Sequence, residues 1–292
     1  MKIAAHIPFY NVESRLVFLR KVLDKLNTIP EELTIFIYTN KAIPAELLKV
    51  NIVVYEYPYK PQKWIKFLSN FDFPFLRKFT YPISRATNQY LYQFFECLSL
   101  KKYLHPFYLT WEHRKIVEKN LDNFDVQLYL EDDMGFGAEA FEYWKKYVRI
   151  TDKHTWNLGF LRTEVNNENQ TFITDLTAIP ENIIELEGQK FLINDNNPYY
   201  ALWIYSKEEL RKFIKSKEWK FNFRGINLRE KAAYGRHAPS MKRYKGTLLP
   251  LIEKDNQLIV DAFCAIDHFP NNYIGDQTYC KLTFPLAVKK TN

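Results

Sequence analysis

The 292-residue chain is poor in cysteine and has no long apolar run. Its cysteines, Cys97, Cys264 and Cys280, are odd in number and widely spaced, which argues against a disulfide framework and against a cysteine-based zinc site. No stretch approaches the roughly 18 to 20 consecutive apolar residues of a transmembrane helix. The opening MKIAAHIPFYN has too short an apolar stretch for a secretory signal. These absences predict a cytoplasmic protein, with a peripheral contact at the inner face of the membrane left open.

Glycine is also scarce, at 8 residues, and no linker rich in proline, glycine or serine divides the chain. The sequence shows no internal repeat and no low-complexity tract. Hydrophobic residues make up 47% and charged residues 26%, which is the balance of a folded chain rather than a disordered one. We therefore expect a single folded domain over residues 1–292.

Aromatic residues and positive charge are in excess. Aromatics reach 17%, which suits either a core rich in Tyr and Phe or clefts in which sugar rings stack. The formal net charge of +7 indicates an anionic partner, such as a nucleotide diphosphate, an acidic glycan, a membrane surface or nucleic acid. Composition alone does not choose among these partners.

The first part of the chain alternates strands and helices. We predict strands at 2–7, 33–38, 51–57 and 126–130, and a helix at 13–26 with apolar residues at helical spacing. This order favours an α/β fold with a central mixed, mostly parallel sheet flanked by helices. Ligands of such sheets collect beyond the carboxyl ends of the strands.

Three further segments precede the last of these strands. Residues 58–83 mix prolines, lysines and aromatics without a clean period, and they form either a surface excursion or a contact with an acceptor or membrane. Helices are predicted at 84–103 and at 109–121.

The second half of the chain carries weaker patterns. Ser206 is predicted to cap a helix that runs to Ile214, since Glu209 follows three residues later. The other predicted elements are a helix at 140–149, extended segments at 157–161 and 171–176, a strand at 199–205, a helix at 228–234, a strand at 258–263 and a loop at 265–275.

The most informative motif is a hydrophobic strand that runs directly into three carboxylates, Glu131, Asp132 and Asp133. Burying three like charges is costly unless a cation or strong hydrogen-bond donors compensate. Carboxylate oxygens are ligands that Mg²⁺ and Mn²⁺ prefer, and a divalent ion held there can neutralise a diphosphate. The alternative is a solvated acidic turn.

VQLYLEDDMGF resembles the strand-end Asp-x-Asp or Glu-x-Asp motif of nucleotide-sugar glycosyltransferases with the GT-A fold, in a family-2-like form. HIPFYNVESRLVFLRKVLDKL is similar to the opening strand and helix of many members. AIDHFPNNY resembles a loop whose histidine often contacts the metal or the diphosphate, and GINLREKAAYG resembles a helix of sugar transferases that share these motifs. The resemblance implies a GT-A-like nucleotide-diphospho-sugar transferase fold, in which residues 1–136 bind the nucleotide sugar and residues 137–292 form the acceptor side.

The resemblance also implies a set of site residues. Asp133 would be the prime ligand of Mn²⁺ or Mg²⁺, with Glu131 as a direct or water-mediated partner and His268 as a further ligand. Asp132 would lie near the ribose or the donor sugar. The residues placed near the nucleotide base are His6, Pro8 and Tyr10. Thr39-Asn40 stands where an acidic base contact is frequent, so the identity of the base stays open.

Two further roles need particular side chains. A guanidinium matches phosphate oxygens, and Arg85, Arg114 and Arg162 are the candidates for holding the diphosphate, with a surface ion pair as the alternative for each. An inverting enzyme also needs a carboxylate base near the acceptor hydroxyl, for which Glu230 is the first choice and Asp195 the second. A retaining mechanism would need no such base.

We therefore expect a metal-dependent glycosyltransferase that moves a sugar from a nucleotide diphosphate donor to a hydroxyl of a glycan or glycolipid acceptor. A nucleotidyltransferase is one alternative, although HIPFYN lacks the Gly-rich loop usual after the first strand of that class. A non-catalytic glycan- or nucleic-acid-binding protein is the other. Three carboxylates at a strand end are poorly suited to binding a phosphate backbone without a metal, so we expect no nucleic-acid partner.

Overall fold

The computed structural model of the protein describes residues 1–57, 106–220, 228–236, 246–276 and 278–288. The predicted segment 58–83, the predicted helix at 84–103 and Arg85 lie outside the described residues. The strands are, in chain order, β1 (Lys2–Phe9), β2 (Glu32–Thr39), β3 (Ile52–Glu56), β4 (Val126–Leu130), β5 (Met134–Gly135), β6 (Asn157–Leu158), β7 (Leu161–Val165), β8 (Thr171–Ile173), β9 (Ile183–Leu186), β10 (Gln189–Asn194), β11 (Leu202–Ser206), β12 (Thr247–Lys254), β13 (Gln257–Val260), β14 (Ala265–His268), β15 (Leu282–Thr283) and β16 (Ala287–Val288).

Helices lie between these strands along the chain. The α-helices are α1 (Glu13–Leu26), α2 (His113–Lys119), α3 (Ala138–Lys153), α4 (Lys207–Ile214) and α5 (Leu228–Ala233). Short 3₁₀ turns lie at Ala45–Leu47, Pro106–Trp111, Lys217–Trp219 and Ala262–Cys264. Across the part of the chain that the structure describes, no helix has both the length and the apolar character needed to cross a membrane.

The central sheet has the strand order β11-β4-β1-β2-β3. β1 runs parallel to both β2 and β4, and β2 runs parallel to β3, whereas β11 closes the edge antiparallel to β4. The α/β class expected from the alternating pattern is confirmed. Every residue of β4 is buried, as expected of an inner strand that is covered on both faces.

Helix α1 is held against this sheet by the apolar stripe that predicted it. Leu19, Val22, Leu23 and Leu26 recur at helical spacing, and all four are buried in the main core. Burying each such side chain contributes about 1.5–3 kcal/mol, which holds the helix against the core. The predicted cap of α4 is also present, since the Ser206 hydroxyl accepts from the backbone N–H of Glu209.

Two further sheets carry the second half of the described chain. One has the order β16-β13-β12-β10-β9, with β6 alongside β12, and the other has the order β15-β8-β7-β14-β5. In the latter, β14 runs antiparallel to β5 and parallel to β7. The interpretation of 265–275 as a loop was therefore wrong at its start, because Ala265–His268 forms strand β14 and pairs beside the acidic turn.

The predicted helix at 109–121 was also too long. The chain forms a 3₁₀ turn over Pro106–Trp111 before α2 begins at His113. Helix α3, in contrast, is longer than predicted and runs over sixteen residues, Ala138–Lys153. The predicted strand at 199–205 is shifted, and Tyr199 precedes strand β11.

Candidate active site

The three consecutive carboxylates lie in the turn between β4 and β5, at the carboxyl end of β4, an inner strand of the central sheet. Glu131, Asp132 and Asp133 are 7%, 8% and 7% exposed. Burial raises the pKa of Glu131 to about 7 and that of Asp132 to about 6, because the charged form of a carboxylate loses solvation in the interior. The turn is therefore not the solvated acidic turn that the sequence left open.

A guanidinium from α1 neutralises part of this charge. Nε of Arg15 donates to Oδ2 of Asp132 at 2.8 Å, and its Nη2 donates to Oδ2 of Asp133 at 2.8 Å. Nη2 also contacts Oδ1 of Asp132. Burial alone would lower the pKa of Arg15, but the two carboxylates stabilise the protonated guanidinium and raise that pKa above its ordinary value.

Glu131 is bound from the other side, by the segment before β11 and by α5. The Tyr199 hydroxyl donates to Oε1 of Glu131 at 3.0 Å. Nε of Arg229 lies 3.8 Å from the same oxygen, and Nη2 of Arg229 lies 3.8 Å from Oε1 of Glu230. Arg229 of helix α5 therefore lies between Glu131 of the acidic turn and Glu230, the predicted base.

His268 reaches the acidic turn through strand pairing. In the register of β14 and β5, His268 lies opposite Met134, and the N–H of Phe269 donates to the carbonyl of Asp133 at 3.0 Å. Nε2 of His268 then lies 4.0 Å from Oδ2 of Asp133. This separation is too long for a hydrogen bond.

The opposite nitrogen of the imidazole is fixed by a buried carboxylate. Nδ1 of His268 lies 2.6 Å from Oε1 of Glu164, which is 1% exposed. Oε2 of Glu164 accepts from the backbone N–H groups of Tyr273 and Ile274, at 2.9 and 3.0 Å. Since an ionised carboxylate only accepts, Nδ1 is the nitrogen that donates to Glu164, and Nε2 is the nitrogen that faces Asp133.

Asp133 has an oxygen without a hydrogen-bond partner. Its Oδ1 is buried and makes no hydrogen bond with the described residues. An orphaned buried oxygen is costly, and a missing ion or ligand is one of its ordinary explanations. The described residues contain no group of three or more His, Cys, Asp and Glu side chains arranged to hold a metal ion. Two possible metal ligands, the carboxylate of Asp133 and the imidazole of His268, therefore lie close together here, but they do not form a complete metal site.

Arg162 lies beside the site but is engaged by another residue. Its Nε and Nη2 both donate to the carboxylate of Asp175 at 2.6 Å, and neither side chain is more than 9% exposed. Its guanidinium also lies over the Tyr199 ring, 5.1 Å from the centroid. Arg162 therefore supports the tyrosine that binds Glu131.

The three residues expected near the base are in different environments. His6 is fully buried, with Nδ1 2.7 Å from the Tyr38 hydroxyl and Nε2 2.9 Å from Oε1 of Gln127. Pro8 is buried, and Tyr10 is 38% exposed in the loop after β1. Of these three, only Tyr10 presents surface to a ligand.

Arg114 and Asp195 are not in contact with the acidic turn. Arg114 lies in an aromatic cluster, where it donates to the carbonyl of Trp219 at 2.9 Å and lies 4.1 Å from that ring's centroid. Burial lowers the pKa of Arg114 to about 9. Asp195 is exposed in the turn after β10.

Several residues of the site were not predicted from the sequence. Arg15 does lie in the helix that carried the resemblance, but its partners are more than a hundred positions away. Glu164 lies on a short strand in which only Val165 is exposed, and in the sequence it resembles any polar strand residue. The other unpredicted residues that contact Glu131 are Tyr199 and Arg229.

Two solved structures show limited similarity to the chain. One is an active-site mutant of LgtC, with 12% identity and a TM-score of 0.29, over 73% of this chain and 59% of that one. The other is mouse xyloside xylosyltransferase 1 in its apo form, with 11% identity and a TM-score of 0.34, over 73% of this chain and 69% of that one. No protein-family model matches the chain, and no curated protein does. Because TM-scores this low do not establish a common fold, the function of the protein has to be inferred from the geometry of the acidic turn and its partners.

Proposed function

We propose that the protein is a metal-dependent glycosyltransferase of the GT-A type, which moves a sugar from a nucleotide diphosphate donor to a hydroxyl of a glycan or glycolipid. One observation carries the proposal. The buried Asp133, in the turn at the carboxyl end of β4, has an orphaned Oδ1, and Nε2 of His268 faces its other oxygen at 4.0 Å. Ligands of open α/β sheets bind at this end of the strands.

The two residues suit a divalent cation bound together with phosphate. Mg²⁺ is usually held by one or two carboxylates plus substrate phosphates rather than by a protein cage, and imidazole and carboxylate both suit Mn²⁺. Asp133 and His268 would hold the ion, with Glu131 as a direct or water-mediated partner. The ion would supply positive charge to the diphosphate leaving group.

Residues around the turn have distinct roles in this proposal. Glu164 fixes the imidazole of His268, and Tyr199 holds Glu131 in place. Asp132 lies in the same turn and would contact the ribose or the donor sugar. His6 and Arg114 we assign to the core, since both are buried among aromatic rings and bonded to protein atoms.

Glu230 is the carboxylate that we assign as the base. Its Oε2 is buried and has no hydrogen-bond partner among the described residues, while Oε1 lies 3.8 Å from Arg229. In the transfer, the bond from the anomeric carbon to the diphosphate breaks, a bond to the acceptor oxygen forms, and the hydroxyl proton passes to Glu230. Asp195, exposed in its turn, is the weaker candidate.

The experiment is a calorimetric titration of a panel of nucleoside diphosphates, with and without Mn²⁺. Asp133→Asn removes the central ligand with little change of shape. Asp255→Asn is the matched control, because Asp255 is exposed in the β12–β13 turn at φ 50°, a backbone conformation that Asn adopts readily. The proposal predicts binding of one nucleotide that needs Mn²⁺, is lost in Asp133→Asn and is kept in the control.

Metal-independent binding, or no binding across the panel, would contradict the proposal. Either result would favour a non-catalytic glycan-binding protein. If Mn²⁺-dependent binding is found, incubation with the matching nucleotide sugar separates the enzyme classes. A glycosyltransferase releases nucleoside diphosphate, whereas a nucleotidyltransferase breaks the bond between the phosphates.

A further inference from the structure

Arg15 occupies an unusual position for a surface-helix arginine. It lies in the first turn of α1, and its side chain is 30% exposed. The helix is fixed by its buried stripe, so the guanidinium reaches the acidic turn from a rigid element. It bonds Asp132 through a fork of two nitrogens and reaches Asp133 through Nη2.

The oxygen that Arg15 takes on Asp133 is the one that faces His268. Nη2 of Arg15 lies 2.8 Å from Oδ2 of Asp133, and Nε2 of His268 lies 4.0 Å from that same Oδ2. A cation that binds Nε2 of His268 and Oδ2 of Asp133 would therefore meet the guanidinium at a shared oxygen. Two positive groups at one oxygen repel each other strongly in a site with little water.

The local charge leads to the same conclusion. Among the described residues, the three carboxylates of the turn have two guanidinium groups within salt-bridge distance, Arg15 and Arg229. A divalent cation would add positive charge beside a guanidinium that already neutralises part of the turn. Release of Arg15 when the cation binds would avoid placing both charges at the same carboxylates.

We propose that Arg15 is a built-in competitor for the metal site, so that its guanidinium and a divalent cation bind Oδ2 of Asp133 in alternation. The inference rests on the proposed metal-dependent function and adds a regulation of that site. While Arg15 is bound, only the fraction of molecules in which it has moved away accepts the ion, and the apparent affinity falls by that fraction. The protein therefore holds its metal more weakly than its ligands alone would.

The test is a calorimetric titration of Mn²⁺ alone, with no nucleotide or sugar. Four proteins are compared: wild type, Arg15→Gln, Arg15→Lys and the control Arg20→Gln, which removes the same charge from an exposed position of the same helix. We expect Arg15→Gln to bind Mn²⁺ at least about 10-fold more tightly than wild type. Arg15→Lys, which keeps the charge but loses the fork, should be intermediate, and the control unchanged.

Thermal unfolding gives a second readout. Without metal, Arg15→Gln should have a lower Tm than the control, and Mn²⁺ should raise its Tm by more than it raises that of wild type. In the wild type, labelling of Arg15 by phenylglyoxal, followed by mass spectrometry, should increase when Mn²⁺ is added. The labelling needs no variant and decides the question even if Arg15→Gln fails to fold.

Equal or weaker Mn²⁺ binding by Arg15→Gln, or labelling that Mn²⁺ does not change, would overturn this inference alone. Mn²⁺ that binds none of the four proteins would overturn the metal part of the proposed function as well. The two failures are therefore distinguishable.

Discussion

Nδ1 of His268 lies 2.6 Å from Oε1 of Glu164, on the neighbouring parallel strands β14 and β7. Both side chains are buried, and the carboxylate also accepts two backbone N–H groups. A histidine oriented in this way through one nitrogen presents the other nitrogen in a fixed direction. Here that direction is toward Asp133.

Replacing Glu164 should weaken metal binding without removing a proposed ligand. Glu164→Gln keeps the shape of the side chain but removes the negative charge beside His268. If its amide oxygen keeps the bond to His268, its NH₂ group faces the backbone N–H groups of Tyr273 and Ile274, and two donors then oppose each other. We expect a 10- to 100-fold loss of Mn²⁺ affinity, measured by calorimetry, roughly as for other orienting partners of metal-bound histidines. Glu168→Gln, at an exposed position, is the control. An unchanged affinity would contradict the role of Glu164 in orienting a metal-bound His268.

Glu230→Gln should reduce turnover and leave donor binding intact. If Glu230 takes the proton of the acceptor hydroxyl, its loss should lower kcat by about 10²- to 10⁴-fold. The dissociation constant of the nucleotide diphosphate should change little. The exposed Glu208→Gln serves as the control in a product-release assay. Full activity of Glu230→Gln would place the base elsewhere or indicate a retaining mechanism.

The buried pair of Arg162 and Asp175 should matter to stability more than any surface pair. Asp175→Asn leaves a buried guanidinium without its counter-charge, and we expect a loss of about 3–5 kcal/mol in the free energy of unfolding. Glu32→Gln, which breaks the exposed pair with Lys2, should cost less than about 1 kcal/mol. Chemical denaturation measures both changes. Similar losses in the two variants would contradict the assignment of Arg162 to a buried structural pair.

His6 should make the fold sensitive to acid. Burial lowers its pKa from 6.5 to about 3, so the folded state favours the neutral ring. A histidine with a lowered pKa contributes stability that is present above pH 6.5 and is lost as the pH falls toward 3. A change of this size corresponds to about 5 kcal/mol at most.

Unfolding measured between pH 7 and pH 3 checks this expectation. His6→Gln should lose part of the pH dependence, and His113, whose pKa burial also lowers, should contribute to the remainder. His154→Gln, at a partly exposed position, is the control. An identical pH profile for wild type and His6→Gln would contradict the account of a neutral buried histidine.

The parts of the fold that the sequence predicted were those with local signals. The apolar stripe of α1 and the continuous apolar run of β4 each stand out over a few residues. The carboxylates of the turn follow β4 directly, so motif and strand could be seen together. The cap at Ser206 needed only a residue three positions away.

Other elements were missed because their signals were broken or ambiguous. Strand β12 contains Pro250, and a proline inside an apolar run argues against a strand. The hairpin of β9 and β10 turns at Glu187 and Gly188, which both have positive φ. A Glu-Gly turn is a weaker hairpin signal than Asn-Gly or Asp-Gly.

The partners of the acidic turn could not be predicted from local patterns. Arg15 lies 117 positions from Asp132, and Glu164 lies 104 positions from His268. Their contacts depend on the register of strands in two different sheets, which a single sequence does not show. The buried position of His6 also depended on long-range packing, by Tyr38 and Gln127 from neighbouring strands.

The most direct test of the proposed function is release of nucleoside diphosphate from a panel of nucleotide sugars, followed by phosphorus NMR in the presence of Mn²⁺. We predict that the wild type releases the diphosphate from one donor as the sugar passes to an acceptor hydroxyl or to water. Removing Mn²⁺ should stop the release, and Asp133→Asn should not release it although Asp255→Asn does. Release that continues unchanged in Asp133→Asn, or no release from any donor that the wild type binds, would contradict a glycosyl transfer centred on Asp133.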